Sequence, residues 1–229
     1  MKNNFSERRL KLSDKVLEDS AIIVASALVK ARISDTDYAY RQDSNFYYLS
    51  GYEEPDSLLL IRPNSDKEKF IIFCRDRDPL REQWDGFRTG QEGAIQQYGA
   101  DNAYSINSLD QMMPDLLAGV KNIYFSMSAP CGVDIKISHW MEDIRKNTRA
   151  GAEAPNNLLS LDSILHEMRL IKEDQEMILM KKAADITTEA HIRAMQAVTP
   201  GMYEYQLEAE YLYAFNKNGA RSPAYNSIV

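Results

Sequence analysis

Three histidines, two cysteines and a surplus of carboxylates carry the reactive chemistry available to this 229-residue chain. His166 follows Asp162 by one helical turn in the run LDSILHEMR, a spacing that suits an acid–base couple and equally a local hydrogen-bonded pair. The second reading is adopted, since no other titratable group is tied to the pair by a motif. His139 sits beside Trp140 in an amphipathic stretch and reads as structural. His191, two residues after Glu189 on an alanine-rich stripe, reads as a packing histidine rather than a ligand. Cys74 and Cys131 cannot staple a chain of this length and lack a zinc-ribbon pair spacing, so they are expected reduced and buried. Aspartates and glutamates are plentiful, but no motif forces two of them together as a metal site requires. The helical zinc-protease, serine-hydrolase and phosphate-loop signatures are all absent. Gly86, Gly90 and Gly93 follow no clean strand and fit no dinucleotide fingerprint. Phe46, Tyr47 and Tyr48 read as core and interface, and Arg75-Asp76-Arg77-Asp78 as a solvated, self-paired charge run.

The elements that would position such residues change character along the chain. Residues 5–18 read as a surface helix with Ser6 as a candidate N-cap. Residues 21–29, rich in Ile and Val, read as a strand buried on both faces. Residues 57–62 and 69–75 are strands flanking the turn Pro63-Asn64-Ser65-Asp66, which predicts an antiparallel hairpin. The start of 82–98 reads as a glycine-containing loop and residues 92–98 as a short helix. A strand is expected over 103–106, a helix over 109–117, a strand over 122–127 and a helix over 133–147, with Ile137, Trp140, Met141 and Ile144 on its inner face. This alternation predicts an α/β domain whose mixed β-sheet is flanked by helices. Residues 151–157 have linker composition. Beyond them a long helix over 174–198 carries Leu179, Ala183, Ile186, Ala190, Ala194 and Ala197 at steps of three and four, a small-residue stripe that calls for close packing. A second helix over 203–218 follows the break at Pro200-Gly201, and residues 225–229 read as a strand. This second part, thin by itself, reads as the opening of a larger domain.

Composition narrows the partners. Apolar residues make up 44% and charged residues 27%, an ordinary globular balance. The net charge of −7 disfavours nucleic acid and anionic lipid surfaces. The most apolar stretch, 21–29, is half the length of about 20 residues that a membrane helix needs. The expectation is a cytoplasmic protein with neither a nucleic-acid nor a membrane partner.

One pattern is far more specific than any of these. The run YRQDSNFYYLSGYEEP at 40–55 resembles the N-terminal domain of the Xaa-Pro aminopeptidases (aminopeptidase P). The likeness continues in order through WDGFRTGQ at 84–91, HEMRLIK at 166–172, PGMYEY at 200–205, NGAR at 218–221 and YNSIV at 225–229. The resemblance implies residues 1–165 as an aminopeptidase P N-terminal α/β domain. It implies residues 166–229 as a linker and the start of the α+β "pita-bread" catalytic domain, incomplete here. It also implies metal-dependent hydrolysis that releases an N-terminal residue preceding proline, two manganese ions, peptides with proline second as substrates, and a homo-oligomer.

The family's metal ligands, two aspartates, one histidine and two glutamates, lie beyond the segment matching 225–229. No aspartate occurs after Asp185, so no catalytic and no metal-binding residue is assigned in this chain, no cofactor is expected in it, and by itself it is expected to be inactive. Three residues are assigned to substrate contact by the resemblance. Trp84 lies in a loop that in some members reaches a neighbouring subunit's active site, and Tyr225 and Asn226 lie on a strand approaching the metal centre. The alternative for Trp84 is a buried core tryptophan. The alternative for the whole chain is a non-catalytic oligomerisation or peptide-binding module.

Overall fold

The computed structural model describes residues 4–127 and 132–228, and Cys131 lies outside them. The chain divides into two units, the first running to Met168 and the second from Arg169.

The first unit is built on a sheet of six strands: β1 (Ser20–Ala25), β4 (Leu58–Ile61), β5 (Phe70–Cys74), β6 (Asn102–Ser105), β7 (Asn122–Phe125) and β8 (Asn157–Ser160). Two further short strands, β2 (Ala31–Ile33) and β3 (Thr36–Asp37), form a separate exposed hairpin. The order across the sheet is β6-β5-β4-β1-β7-β8. β4 runs antiparallel to both β1 and β5, with Leu59 opposite Ile72, while β5–β6, β1–β7 and β7–β8 are parallel. The sheet is therefore mixed, and the hairpin expected around residues 63–66 is present.

Alternate residues of each strand point to opposite faces, and here both faces are covered. Ile22, Val24, Leu59, Ile72 and Cys74 pack with Leu12 of α1 (Phe5–Ser13), Phe46 and Leu49 of α2 (Ser44–Ser50), Ala94 of α4 (Gly90–Tyr98) and Leu165 of α7 (Asp162–Leu170). Ala21, Ile23, Leu58, Leu60, Phe73 and Ile123 pack with Leu109, Met113 and Leu117 of α5 (Leu109–Leu117) and with Ile137, Trp140, Met141 and Ile144 of α6 (Val133–Lys146). The remaining helix of this unit, α3 (Pro79–Asp85), has no buried residue.

Four local expectations are corrected. α1 lies at the surface, with Leu10 64% exposed, but it is not capped by Ser6. Asn4 is its N-cap, and Arg8 and Arg9 are buried. They enter the core because α2 ends beside them with carbonyls that no helical N–H can reach. Arg8 Nη1 donates to Tyr48 O at 3.2 Å and Arg9 Nη1 to Leu49 O at 2.9 Å. Their guanidinium planes cover Tyr48 and Phe70 at 4.2 and 3.7 Å. Burial lowers the Arg9 guanidinium to about 10, against the opposing charge of Asp101. Residues 82–85, expected in a loop, belong to a helix that starts at Pro79, because Asp78 accepts hydrogen bonds from Leu80 N and Arg81 N at 3.1 and 3.2 Å with Pro79 at the first helical position. Residues 151–157 do not part the two units but lead into β8, whose Leu158 pairs with Ile123. Residues 225–228 form no strand.

In the second unit, α8 (Asp174–Ala197) packs along α9 (Glu204–Lys217). Ile186, Ala190 and Ala194 of the small-residue stripe are buried, as is Ala214 of α9, while Leu179 at the start of the stripe is 62% exposed. Polar pairs join the two helices: Arg193 Nε to Glu210 at 2.6 Å and the Tyr211 hydroxyl to His191 Nδ1 at 2.8 Å.

Candidate functional site

Trp84 is the least ordinary side chain in the first unit. It is 90% exposed, whereas Trp140 is 1% exposed, so the reading of Trp84 as a core tryptophan is overturned. Leu80, one turn earlier on the same face of α3, is 76% exposed, and Phe87 just beyond the helix is 65% exposed. A helix that buries none of its own residues gains no tertiary packing, and a stretch this short is not stable on propensity alone. Its polar contacts therefore have to hold it.

Those contacts sit at its base and along its polar side. Asp78 caps the first turn, and Arg77 makes two hydrogen bonds to Glu82, one of them 2.9 Å. That contact raises the Arg77 guanidinium and lowers the Glu82 carboxyl from their ordinary values. Arg88 reaches Asp85 at 3.1 Å, and the Arg77 guanidinium lies 4.3 Å from the centre of the Phe87 ring. Asp76 accepts from Ser105 Oγ at 2.6 Å and from Gln91 Nε2 at 2.9 Å, tying the segment to β6 and α4. Glu54, from the loop after α2, accepts from Thr89 N at 2.6 Å and Arg75 Nη2 at 3.2 Å. The charged run 75–78 is thus not self-paired. Each member holds a different neighbour, because the chain turns out of the sheet at Arg75 and enters α4 only at Thr89.

With its flanking charges paired, the projection presents an apolar edge of Leu80, Trp84 and Phe87. An indole there offers a flat apolar face and one N–H donor. It can hold a ligand, but it cannot act as acid, base or nucleophile.

The other candidates are placed less informatively. Tyr225 is 75% exposed and Asn226 is exposed, both in irregular chain of the second unit. His139 and His166 are exposed, and His191 makes the contact with Tyr211 already described. Asp162 and His166 both line a cleft of about 730 Å³ beyond the carboxyl ends of β1 and β7, with Tyr40 and Arg41 on another wall. Cys74 is free and buried, and burial raises its thiol to about 11. Among the described residues, no group of three or more His, Cys, Asp or Glu side chains could hold a metal ion. Likewise among them, no helix is long and apolar enough to cross a membrane. Glu54 escaped the sequence reading. Its one signal is its place in the Glu53-Glu54-Pro55 end of the recognised run, which does not reveal its partners.

Comparison with known proteins gives this geometry its context. Residues 5–124 match the family model described as aminopeptidase P, N-terminal domain, and residues 178–229 match that of metallopeptidase family M24. The chain is 35% identical over 229 residues to the Xaa-Pro aminopeptidase of Escherichia coli, covering 100% of this chain and 52% of that protein. It is 38% identical over 228 residues to the Xaa-Pro aminopeptidase of Haemophilus influenzae, covering 100% and 50% respectively. The chain thus spans about half the length of these curated relatives. Among solved structures, the aminopeptidase PepP of Pseudomonas aeruginosa superposes with a TM-score of 0.96 at 42% identity, over 98% of this chain and 51% of that one. Aminopeptidase P from E. coli with the inhibitor Pro-Leu superposes at 0.94 and 35% identity, over 98% and 51%.

Proposed function

The chain belongs to the aminopeptidase P family, and from that premise we propose that the protein carrying it is an Xaa-Pro aminopeptidase, releasing an N-terminal residue that precedes proline. One observation carries the reading: the match to a curated Xaa-Pro aminopeptidase, at 35% identity, extends over all 229 residues and so through both units. In this reading residues 1–165 are the N-terminal domain and 166–229 the linker and the opening of the metallopeptidase domain. The metal of such a hydrolase, for which we propose a pair of manganese ions, would polarise the scissile carbonyl and supply the attacking hydroxide. The described residues do not fit that role, since no group of three or more potential ligands converges among them. No step of the hydrolysis is therefore assigned to them, and the 229 residues alone are proposed to be inactive.

Their proposed contribution is recognition. Trp84 is held out from its domain and would lay its indole against the peptide, in a homo-oligomer where the projection meets a second subunit. Tyr225 and Asn226 are proposed as further substrate contacts. Peptides with proline second are the proposed substrates, and the cytoplasm the proposed compartment. The test is an assay of the protein at its relatives' full length, with manganese, on a pair of peptides differing only in proline or alanine at the second position. Release of the first residue from the proline peptide alone, lost on chelation and restored by manganese, is the expected result. Equal release from both peptides would overturn the reading.

A further inference from the structure

Trp84 sits at the end of a helix that buries nothing, yet a recognition residue has to be presented in one place. The projection leaves β5 at Arg75 and ends at Thr89, where α4 begins, and one carboxylate touches both points. Glu54 accepts the Thr89 N–H at 2.6 Å and a guanidinium N–H of Arg75 at 3.2 Å. Both side chains of the Glu54–Arg75 pair are 17% exposed, so water screens it far less than a surface pair. Thr89 is the N-cap of α4 and makes no capping hydrogen bond with its own side chain, so the Glu54 carboxylate supplies negative charge where that helix begins.

Glu54 is itself held. Its carbonyl oxygen accepts from Gln42 Nε2 at 2.9 Å and Ser57 Oγ at 3.0 Å. The Gln42 amide oxygen in turn accepts from Ala27 N at 2.9 Å and Asp43 N at 2.8 Å, which joins the loop to the chain just beyond β1 and to the start of α2. A chain of hydrogen bonds thus runs from the chain just beyond β1 to both feet of the projection.

We propose that Glu54 is a positioning residue for Trp84: its carboxylate clamps the two ends of the 76–88 projection and so sets where the indole is presented. The inference rests on the proposed role of Trp84, but the clamp can be read without it. Hydrogen exchange followed by mass spectrometry on the 229-residue chain reports the clamp alone. Glu54→Ala should speed exchange of peptides covering 78–90 by about tenfold or more, as expected for losing a hydrogen bond to a charged group, while β4 and β5 stay protected. Glu54→Gln keeps an acceptor for Thr89 N but sets an N–H against Arg75, and should fall between. Unchanged exchange over 78–90 in Glu54→Ala, or a uniform rise across the whole first unit, would overturn the clamp.

A double-mutant cycle on kcat/KM in the full-length protein reports the action through Trp84. Glu54→Ala should lower kcat/KM about tenfold in the parent and by less than about twofold in a Trp84→Ala background, because neighbours that act together are not additive. Equal losses in both backgrounds would overturn the positioning role. If Trp84→Ala itself leaves kcat/KM unchanged while exchange behaves as expected, the clamp stands, and the proposed role of Trp84 fails together with the positioning role that rests on it.

Discussion

Replacing Trp84 by alanine separates recognition from stability, because the fold makes so little use of this side chain. At 90% exposure almost none of its surface is removed from water by folding. Its truncation should shift unfolding by no more than about 0.5 kcal/mol, the range of ordinary surface substitutions. Trp140 is the control: it is 1% exposed, its indole N–H donates to Asp110 at 3.0 Å, and its loss should cost about 3–5 kcal/mol. Catalysis should rank the two the other way. An aromatic side chain has roughly 200 Å² to bury. If half of that closes on a peptide, at ~25 cal/mol/Å² the contact is worth about 2.5 kcal/mol, or about 60-fold in kcat/KM. Trp84→Phe keeps most of the apolar face and should lose less than about tenfold. The assay is steady-state hydrolysis of a proline-second peptide by the full-length protein, beside urea unfolding of each variant. A Trp84→Ala protein that unfolds as readily as Trp140→Ala would refute the exposed placement, and one with kcat/KM within about twofold of the parent would refute the recognition role.

Three further outcomes follow from the core. Gly51 ends α2 at φ +70, and an added Cβ would lie 2.3 Å from Cε2 of Phe5, whereas at Gly151, left-handed too at φ +90, it would meet nothing within 4 Å. Both alanine variants pay the left-handed backbone cost of about 1–2 kcal/mol, but Gly51→Ala should lose a further 1–3 or so in urea titrations, and equal losses would show that the Phe5 ring yields freely. The Tyr52 hydroxyl is buried and makes no hydrogen bond of good geometry, with the Cys74 thiol and the Glu54 carboxylate near enough only to bias its titration, so Tyr52→Phe should change stability by no more than about 1 kcal/mol, and a larger loss would show that these weak contacts hold the ring. Burial raises the Cys74 thiol from 9.0 to about 11. Above pH 9 the unfolded chain therefore gives up a proton that the folded chain keeps, and stability falls as pH rises through that window. Unfolding titrations between pH 9 and 10 should show a smaller decline for Cys74→Ala, and parallel declines would exclude the thiol as the cause.

Five of the sheet's six strands and the helices of residues 92–98, 109–117 and 133–147 were legible because hydrophobic period is a local signal. Residues 57–62 and 69–75 announce a hairpin by composition and turn, and Ile137, Trp140, Met141 and Ile144 announce one buried helix face. The failures fall where a partner distant in sequence decides. Arg8 and Arg9 look like surface cations until the end of α2 is set beside them, 40 residues on, and supplies carbonyls for both. β8 is only a polar-flanked Leu158-Leu159 until β7 offers it an edge. The Asp78-Pro79 start of α3 is different, since a capping residue followed by proline at the first helical position is a local signal that was open to reading.

The same distinction explains how much of the site could be read. A tryptophan in a polar, glycine-containing stretch has two possible fates, core or surface, and local sequence does not choose between them. The choice is made by Glu54, Asp76 and Asp78, which close the base of the segment so that its apolar residues have no interior left to enter. Each of these carboxylates alone resembles any solvated acid in an acidic chain. Their meaning lies in what they touch: a helix start at Thr89, a side-chain amide at Gln91, a helix start at Leu80. It follows that the exposure of Trp84 is a property of the whole clamp rather than of its own neighbours in sequence. Substitution 30 residues away, at Glu54, should therefore move it more than substitution at Gln83 beside it.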